Sequence, residues 1–332
     1  MSTIARIVTV CQNGKFHPSV EANRDHVMEM LDRAVLQKPD LVVLPEAFAS
    51  VSVKYETKDE VAETIPGPTT DAAARRARQA GCYVICPVVA RRDGRFYNSA
   101  AVIDRQGAIS GVYEKVHPVA SVGDFTSFEG GIQPGGDTPV FDLDFGRVAI
   151  QICFDLGFPE TWAALAESGA RIVFWPSAYD GGFPLRAYAW IHHYFVVSSV
   201  RSGRSKIIDP LGAIRAQSDP RMEFAVAEIN TDFIACHWDY NHSIPRRILE
   251  SYPGRAEVRS DHESGHFLVE PLDPAVKIAD LQREFGFESA HMYHQRHRVA
   301  HARMLEGQPP LAQNALHNGR QPYGEGPAKK TD

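Results

Sequence analysis

Short apolar, β-branched runs alternate with stretches of helical periodicity along the first 230 residues, and this alternation restricts the chain to layered α/β architectures. The opening run, Ile4–Gln12, has strand length and is followed by Val27, Leu31 and Ala34 at helical spacing within residues 20–37. Leu41–Leu44 is a short continuous apolar run, the kind buried in a sheet covered on both faces. A second helix is expected over Thr69–Ala80, introduced by Gly-Pro-Thr-Thr-Asp and stopped by Gly81. Strand runs follow at 83–89, 96–103, 109–114, 140–143, 147–152 and 171–175, the last two enclosing a helix at 159–167. A helix at 185–194, a strand at 195–200 and short strands at 205–208, 213–217 and 225–229 complete the pattern. With no Gly/Ser-rich linker and no internal repeat, residues 1–231 read as one domain.

The character changes after Thr231. Helical segments at 245–252, 274–285 and 289–306 predict a helical extension over 232–306, packed on the domain or on a partner subunit. Residues 307–332 are rich in Gly, Pro, Asn, Gln and Lys and are expected to be disordered, or ordered only against a partner.

Formal charge is −6, with no long basic run, which argues against nucleic acid or an anionic membrane as main partner. No apolar stretch approaches the roughly 20 residues that span a bilayer, and the N-terminus lacks a signal-peptide core. A cytoplasmic enzyme is the expectation. The five cysteines lack paired spacing, so reduced thiols are expected, with Cys11, Cys82 and Cys86 as small buried hydrophobes.

Three reactive side chains each follow or end a strand-like run. Glu46 stands just past Leu-Val-Val-Leu-Pro, Lys115 ends Val-Tyr-Glu, and Cys153 follows Val-Ala-Ile-Gln-Ile with a helix starting at Pro159. Ligands of α/β sheets sit beyond the carboxyl ends of strands, so the three can meet there. A thiol needs a base or a positive neighbour to act as a nucleophile. Glu46, its pKa raised by partial burial, would take the thiol proton. Lys115, with the backbone N–H of Phe154, would stabilise an oxyanion formed by attack on a carbonyl.

That ordered combination resembles the nitrilase superfamily, the carbon–nitrogen hydrolases, over residues 4–230. The matching pieces are Val-Cys-Gln12, Leu-Val-Val-Leu-Pro-Glu46, Tyr-Glu-Lys115-Val-His117-Pro, Gln-Ile-Cys153-Phe-Asp-Leu-Gly-Phe-Pro-Glu160, Trp175-Pro-Ser-Ala and Ile207-Ile-Asp-Pro-Leu-Gly212. The resemblance implies a four-layer αββα sandwich, with Glu46 as base, Lys115 as oxyanion stabiliser and Cys153 as nucleophile. It implies no cofactor and no metal, and a homodimer or larger homo-oligomer. Many members carry a second glutamate between the lysine and the cysteine; Glu129 is the glutamate available, with Asp124 as the alternative acid. Phe48, Phe154, Phe158, Trp175, Ser177 and Tyr179, all in or beside these motifs, are expected to bind substrate.

Phe154-Asp155 after the cysteine looks more like the amidase and carbamoylase branches than the nitrilases, whose cysteine is usually followed by Trp-Glu. Gly157 stands where members acting on carboxylate-bearing amides often have an Arg; the loss of that bidentate clamp argues against a dicarboxylate monoamide or an N-carbamoyl amino acid, although Arg186 or Arg201 could substitute from another direction. The expected activity is hydrolysis of a linear amide or an N-carbamoyl (ureido) substrate through a cysteine thioester, releasing ammonia or an amine. The alternative is a nitrilase acting through a thioimidate. A papain-like protease is disfavoured, since its signature around the nucleophile is missing. His291, His294, His297 and His301 fall within about a third of a helix circumference, but no acidic motif accompanies them, and a solvated or inter-subunit face is the expectation. A non-catalytic scaffold would be expected to have lost Glu46, Lys115 or Cys153.

Overall fold

The computed structural model describes residues 3–317. The described residues divide into two compact units, one spanning Ala5–Ile229 and one built from residues 230–317 with residues 3–4.

The first unit contains two six-stranded sheets. One takes the order β12-β1-β2-β3-β4-β5, from β1 (Ile4–Val10), β2 (Leu41–Val43), β3 (Tyr83–Arg92), β4 (Arg95–Ile103), β5 (Ile109–Glu114) and β12 (Phe224–Asn230). The other takes the order β11-β10-β9-β8-β7-β6, from β6 (Val140–Leu143), β7 (Gly146–Ile150), β8 (Ile172–Ser177), β9 (Phe195–Val200), β10 (Lys206–Ile208) and β11 (Ile214–Gln217). Three adjacent strands are parallel in each sheet, β1–β3 and β7–β9. These are the near-continuous apolar runs, as strands buried on both faces require.

Helices cover the outer faces. α1 (Val20–Val35) and α2 (Pro68–Ala80) bury Val27, Leu31, Ala73 and Ala77 against Val8, Val42 and Val84 of the first sheet. Ser19 caps α1 by accepting from the N–H of Ala22, and Gly81 ends α2 in the left-handed conformation that favours glycine. α3 (Pro159–Glu167) and α4 (Gly182–His192) bury Trp162, Leu165, Leu185 and Ala189 against Ala149, Val173 and Val196 of the second. The inner faces meet directly: the Thr9 hydroxyl donates to the Ser198 carbonyl, and the Ser199 hydroxyl lies 2.7 Å from the Val10 carbonyl and 3.1 Å from that of Val43. The result is the four-layer αββα sandwich.

Strand direction places the reactive residues. β4 is antiparallel to β3 and β5 is antiparallel to β4, so β5 runs with the parallel strands and Lys115 leaves the sheet at the same end as Glu46. The two sheets also share this end. Cys11 bridges Val200 in parallel, and the N–H of Gln12 donates to the Val200 carbonyl at 3.0 Å.

The second unit departs from the helical extension expected. It holds α5 (Ile244–Ser251), α6 (Ile278–Phe285) and α7 (Ala290–Leu305), and also an antiparallel sheet ordered β13-β15-β14 from Ile234–His237, His266–Pro271 and Ala256–Asp261. Its apolar core gathers Ile244, Ile248, Phe267, Val269, Leu281, Phe285 and Phe287. The described part of the tail expected to be disordered or ordered only against a partner, residues 307–317, is tied to α7. Gln313 donates to the Arg296 carbonyl, and His317 and Arg296 both meet the buried Glu288. The remainder of that expected tail, 318–332, lies outside the described residues.

Among the described residues no helix is long and apolar enough to cross a membrane, and no three His, Cys, Asp or Glu side chains are grouped as a metal site. His291, His294, His297 and His301 are all exposed on α7, where His294 approaches His237 and His266. All five cysteines are buried and unpaired.

Candidate active site

At the shared strand end a cavity of about 510 Å³ is lined by Glu46, Lys115, Glu129 and Cys153, together with Asn98, Arg201 and Lys58. Lys115 is 1 % exposed, and an ammonium so deeply buried requires opposite charge. It donates to Glu46 Oε1 at 3.2 Å and to Glu129 Oε1 at 2.5 Å. Asn98, near the start of β4, uses one Nδ2 amide to join the two carboxylates, donating to Glu46 Oε1 at 2.9 Å and Glu129 Oε2 at 3.1 Å. Arg201 Nη2 stands 3.5 Å from Glu46 Oε2.

Glu129 reaches Lys115 from the turn between β5 and β6. Its backbone N–H donates to the Val119 carbonyl, and its side chain accepts from the N–H of Val119. Asp124, the alternative acid, accepts from Thr126 within the same turn and is not on the cavity wall.

The electrostatics differ from the expectation for Glu46. Burial pushes its carboxyl up, but Lys115, Arg201 and Asn98 together hold it below the ordinary carboxylate range. The raised value expected for a base behind Pro45 is therefore corrected: three donors outweigh desolvation. Cys153 goes the other way. Burial and the charge of Glu46 push its thiol up to about 11, against the opposing pull of Lys115, the N–H of Ala178 and the Ser177 hydroxyl. Lys115 is raised well above an ordinary lysine: desolvation opposes its charge, but Glu46, Cys153 and Glu129 overcome it. The resting site holds a neutral thiol, an ionised Glu46 and a permanent ammonium.

Three non-glycine residues here have left-handed backbone: Ala47 at φ +41°, Glu129 at +43° and Cys153 at +47°. Each such conformation costs about 1–3 kcal/mol and persists only where surrounding contacts enforce it. Behind Cys153 the enforcing group is Asp155, fully buried. It accepts from the Tyr113 hydroxyl at 2.6 Å, the N–H of Ile152 at 2.8 Å and the N–H of His117 at 2.9 Å, and lies 2.9 Å from His117 Nδ1. Tyr113 and His117 flank Lys115 at two residues on either side, so Asp155 ties the turn carrying the thiol to the strand end carrying the ammonium. The return segment also packs closely: a Cβ on Gly135 would collide with the Glu114 carbonyl.

Of the aromatic residues expected in the pocket, Phe48 and Trp175 are placed in the core. Phe48 is fully buried in the core beneath α1 and α2. Trp175 is fully buried under α3 and α4, its indole N–H donating to the Cys153 carbonyl at 3.1 Å. Phe158 stacks on His117 at 3.6 Å, and the Phe154 side chain is 41 % exposed. Tyr179 sits edge-on to Trp175 and within electrostatic range of Cys153, Glu46 and Lys115, the Ser177 side chain bonds Cys153 from β8, and Ala178 between them lines the cavity. The walls are mainly aliphatic and polar, with Val51, Val53, Val89, Val119 and Ile132 alongside Ser50 and Ser52, and one aromatic side chain, Tyr55. Arg186 bonds the Gly212 carbonyl and is not on the cavity wall, whereas Arg201 is.

Sequence reading missed Asn98 and Lys58. Asn98 carried a usable signal, being a strand-disfavoured residue inside the run Phe96–Ile103. Lys58 lies in an irregular polar stretch with none.

The sequence profile of the carbon-nitrogen hydrolase family matches residues 7–235, well over half of the chain. The chain is 30% identical over 247 residues to the deaminated glutathione amidase of Synechocystis sp., covering 65% of this chain and 88% of that protein. It is 26% identical over 268 residues to Omega-amidase NIT2 of Xenopus tropicalis, covering 74% and 92%. A nitrilase of Pyrococcus abyssi is 31% identical over 230 residues, covering 63% and 84%. Among solved structures, Saccharomyces cerevisiae Nit3, a member of branch 10 of the nitrilase superfamily, shares the fold with a TM-score of 0.58 at 22% identity, covering 68% of this chain and 90% of that one. An amidase from Nesterenkonia sp. does so with a TM-score of 0.58 at 20% identity over the same shares. The chain belongs to the carbon–nitrogen hydrolase family of the nitrilase superfamily. It is an enzyme of the carbon–nitrogen-hydrolysing kind.

Three outcomes follow from this geometry. Reaction of Cys153 with methyl methanethiosulfonate in the free enzyme should keep accelerating above pH 9, because the thiol titrates near 11; a plateau reached below pH 8 would contradict a neutral resting thiol. Phe48→Ala should lower the unfolding free energy by about 3–5 kcal/mol in urea melts, and a fully stable variant with a raised KM would return Phe48 to the pocket. Asp155→Asn replaces an acceptor oxygen by a donor amide, so it should cost about 3 kcal/mol of stability and lower kcat, measured by thermal unfolding and steady-state assay.

Proposed function

We propose that this enzyme hydrolyses linear amides through an acyl-thioester on Cys153, with Glu46 as general base and acid, Lys115 as oxyanion stabiliser and Glu129 as the residue that positions Lys115. The observation carrying this reading is the buried Lys115 ammonium, held between two carboxylates on the cavity that Cys153 also lines.

Because the resting thiol is neutral, its proton passes to Glu46 as sulfur attacks the amide carbonyl, not before. The C–S bond forms and the carbonyl π pair moves to oxygen, beside Lys115 and the backbone N–H of Phe154. That oxygen needs a donor that never loses its proton, and the raised pKa of Lys115 supplies one. Collapse expels ammonia or an amine, which takes the proton back from Glu46 and leaves the thioester. A water then gives a proton to Glu46 and adds to the thioester carbon. The second collapse expels sulfur, which recovers the proton, and the carboxylic acid departs. The sum is amide plus water to acid plus amine.

Amide hydrolysis is preferred to nitrile hydrolysis because Phe154-Asp155 follows the cysteine and Asp155 is fully committed as a brace. A homo-oligomer is part of this proposal: Phe183, Trp190 and Ile191 leave an exposed apolar face on α4, of the kind that marks association surfaces. Five buried, unpaired thiols support a reducing, cytoplasmic setting.

The test is an amide panel and a nitrile panel assayed for ammonia, with a slow amide quenched for mass spectrometry. Acyl mass on the Cys153 peptide is expected, lost in Cys153→Ala, with kcat falling about 100-fold or more in Lys115→Met. Turnover confined to nitriles would overturn the amide reading, and no turnover on either panel would overturn both.

A further inference from the structure

We infer that Lys58 is the specificity-determining cation of this cavity and selects amides whose acyl group ends in a carboxylate. The inference rests on the proposed reading of Cys153 as nucleophile, because the acyl group is the part of the substrate that stays in the cavity as the thioester.

The charges on the cavity wall do not balance. Three cations, Lys58, Lys115 and Arg201, face two carboxylates, Glu46 and Glu129. Lys115 contacts both carboxylates, and Arg201 contacts Glu46. The Cys153 thiol, neutral at rest, offsets nothing. Among the described residues Lys58 contacts no carboxylate. Its Nζ donates to the Tyr55 hydroxyl at 2.9 Å and to the Glu129 backbone carbonyl at 2.8 Å. An ammonium has three N–H donors, so one remains for a ligand. The two bonds fix the head of an otherwise flexible side chain, which reduces the entropy a substrate must spend to meet it.

Position fits the role. Glu129 separates the two lysines, meeting Lys115 through its carboxylate and Lys58 through its backbone carbonyl. Lys58 therefore stands the length of one residue away from the ammonium proposed to hold the oxyanion. Val53, Val89, Val119 and Ile132 supply aliphatic wall in the same cavity. A short methylene chain, with an amide at the Cys153 end and an anion at the Lys58 end, matches both the apolar wall and the spare charge.

The experiment compares glutaramate and succinamate with their neutral isosteres, glutaramide and succinamide, which differ only in having an amide where the carboxylate was. The wild-type enzyme should prefer the anionic member in kcat/KM by about 30-fold or more, the range for a charge pair in a partly buried site. Lys58→Gln should collapse that ratio, chiefly through KM, Lys58→Glu should invert it, and Lys58→Arg should retain it. Equal or better use of the neutral isosteres by the wild type would overturn the inference, and so would a ratio unmoved in Lys58→Gln and Lys58→Glu. Calorimetric titration of Cys153→Ala protein with glutarate separates this result from the chemistry. Binding that Lys58→Gln abolishes supports the anion site even if no amide is turned over. Absent or Lys58-independent glutarate binding overturns it while leaving the amidase reading intact.

Discussion

The Lys115 ammonium, buried between Glu46 and Glu129, is the interaction on which the rest of the site depends. Removing a charge from water costs several kcal/mol, and the cost is recovered only when the partners and their hydrogen bonds are well placed. Glu46 arrives from the turn after β2, Glu129 from the turn before β6, and Asn98 from β4 joins them with one amide. Misplacing any of these would leave an unpaired buried charge, so the registers of β2, β4 and β5 are held by electrostatics as well as by the sheet ladder. The same cluster sets the protonation pattern. Donors around Glu46 keep its proton off, while burial and that negative charge keep the proton on Cys153.

Backbone strain concentrates at the same place. Ala47, Glu129 and Cys153 adopt left-handed backbone without being glycine. Their cost is met by a rigid surround, most clearly at Cys153. There the Asp155 carboxylate collects donors from both sides of the lysine strand, and the Trp175 indole holds the Cys153 carbonyl. Two of the most prominent aromatic residues near the motifs, Phe48 and Trp175, thus belong to the support of the site and leave its walls mainly to valines, isoleucine and serines, with Tyr55 beside Lys58.

Strands in the first unit were legible because they are buried on both faces and therefore written as continuous apolar runs; Ile109–Glu114, Val140–Leu143 and Phe195–Val200 run between the residues expected from sequence. The strands Ala256–Asp261 and His266–Pro271 in the second unit were not. The first alternates Glu257, Arg259 and Asp261 with smaller residues, as a half-exposed edge strand does, and the second starts and ends in polar or turn-like residues. Such short segments, flanked by Gly254 and Gly265, look like loops until a partner strand is present.

The sequence alone determined which reactive residues stand at strand ends, because a strand boundary is a local property of the chain: Glu46 after a proline, Lys115 after a β-run, Cys153 before a helix. It also determined the family, through the order of those motifs. Only the tertiary structure decided that Glu129 and not Asp124 meets Lys115, that the Glu46 carboxyl is lowered where burial alone would raise it, and that Lys58 faces the cavity with no carboxylate partner among the described residues. Each of these is a sum over neighbours contributed by segments far apart in the chain. Coulomb energy and desolvation depend on distances in space, and separation along the chain does not encode them.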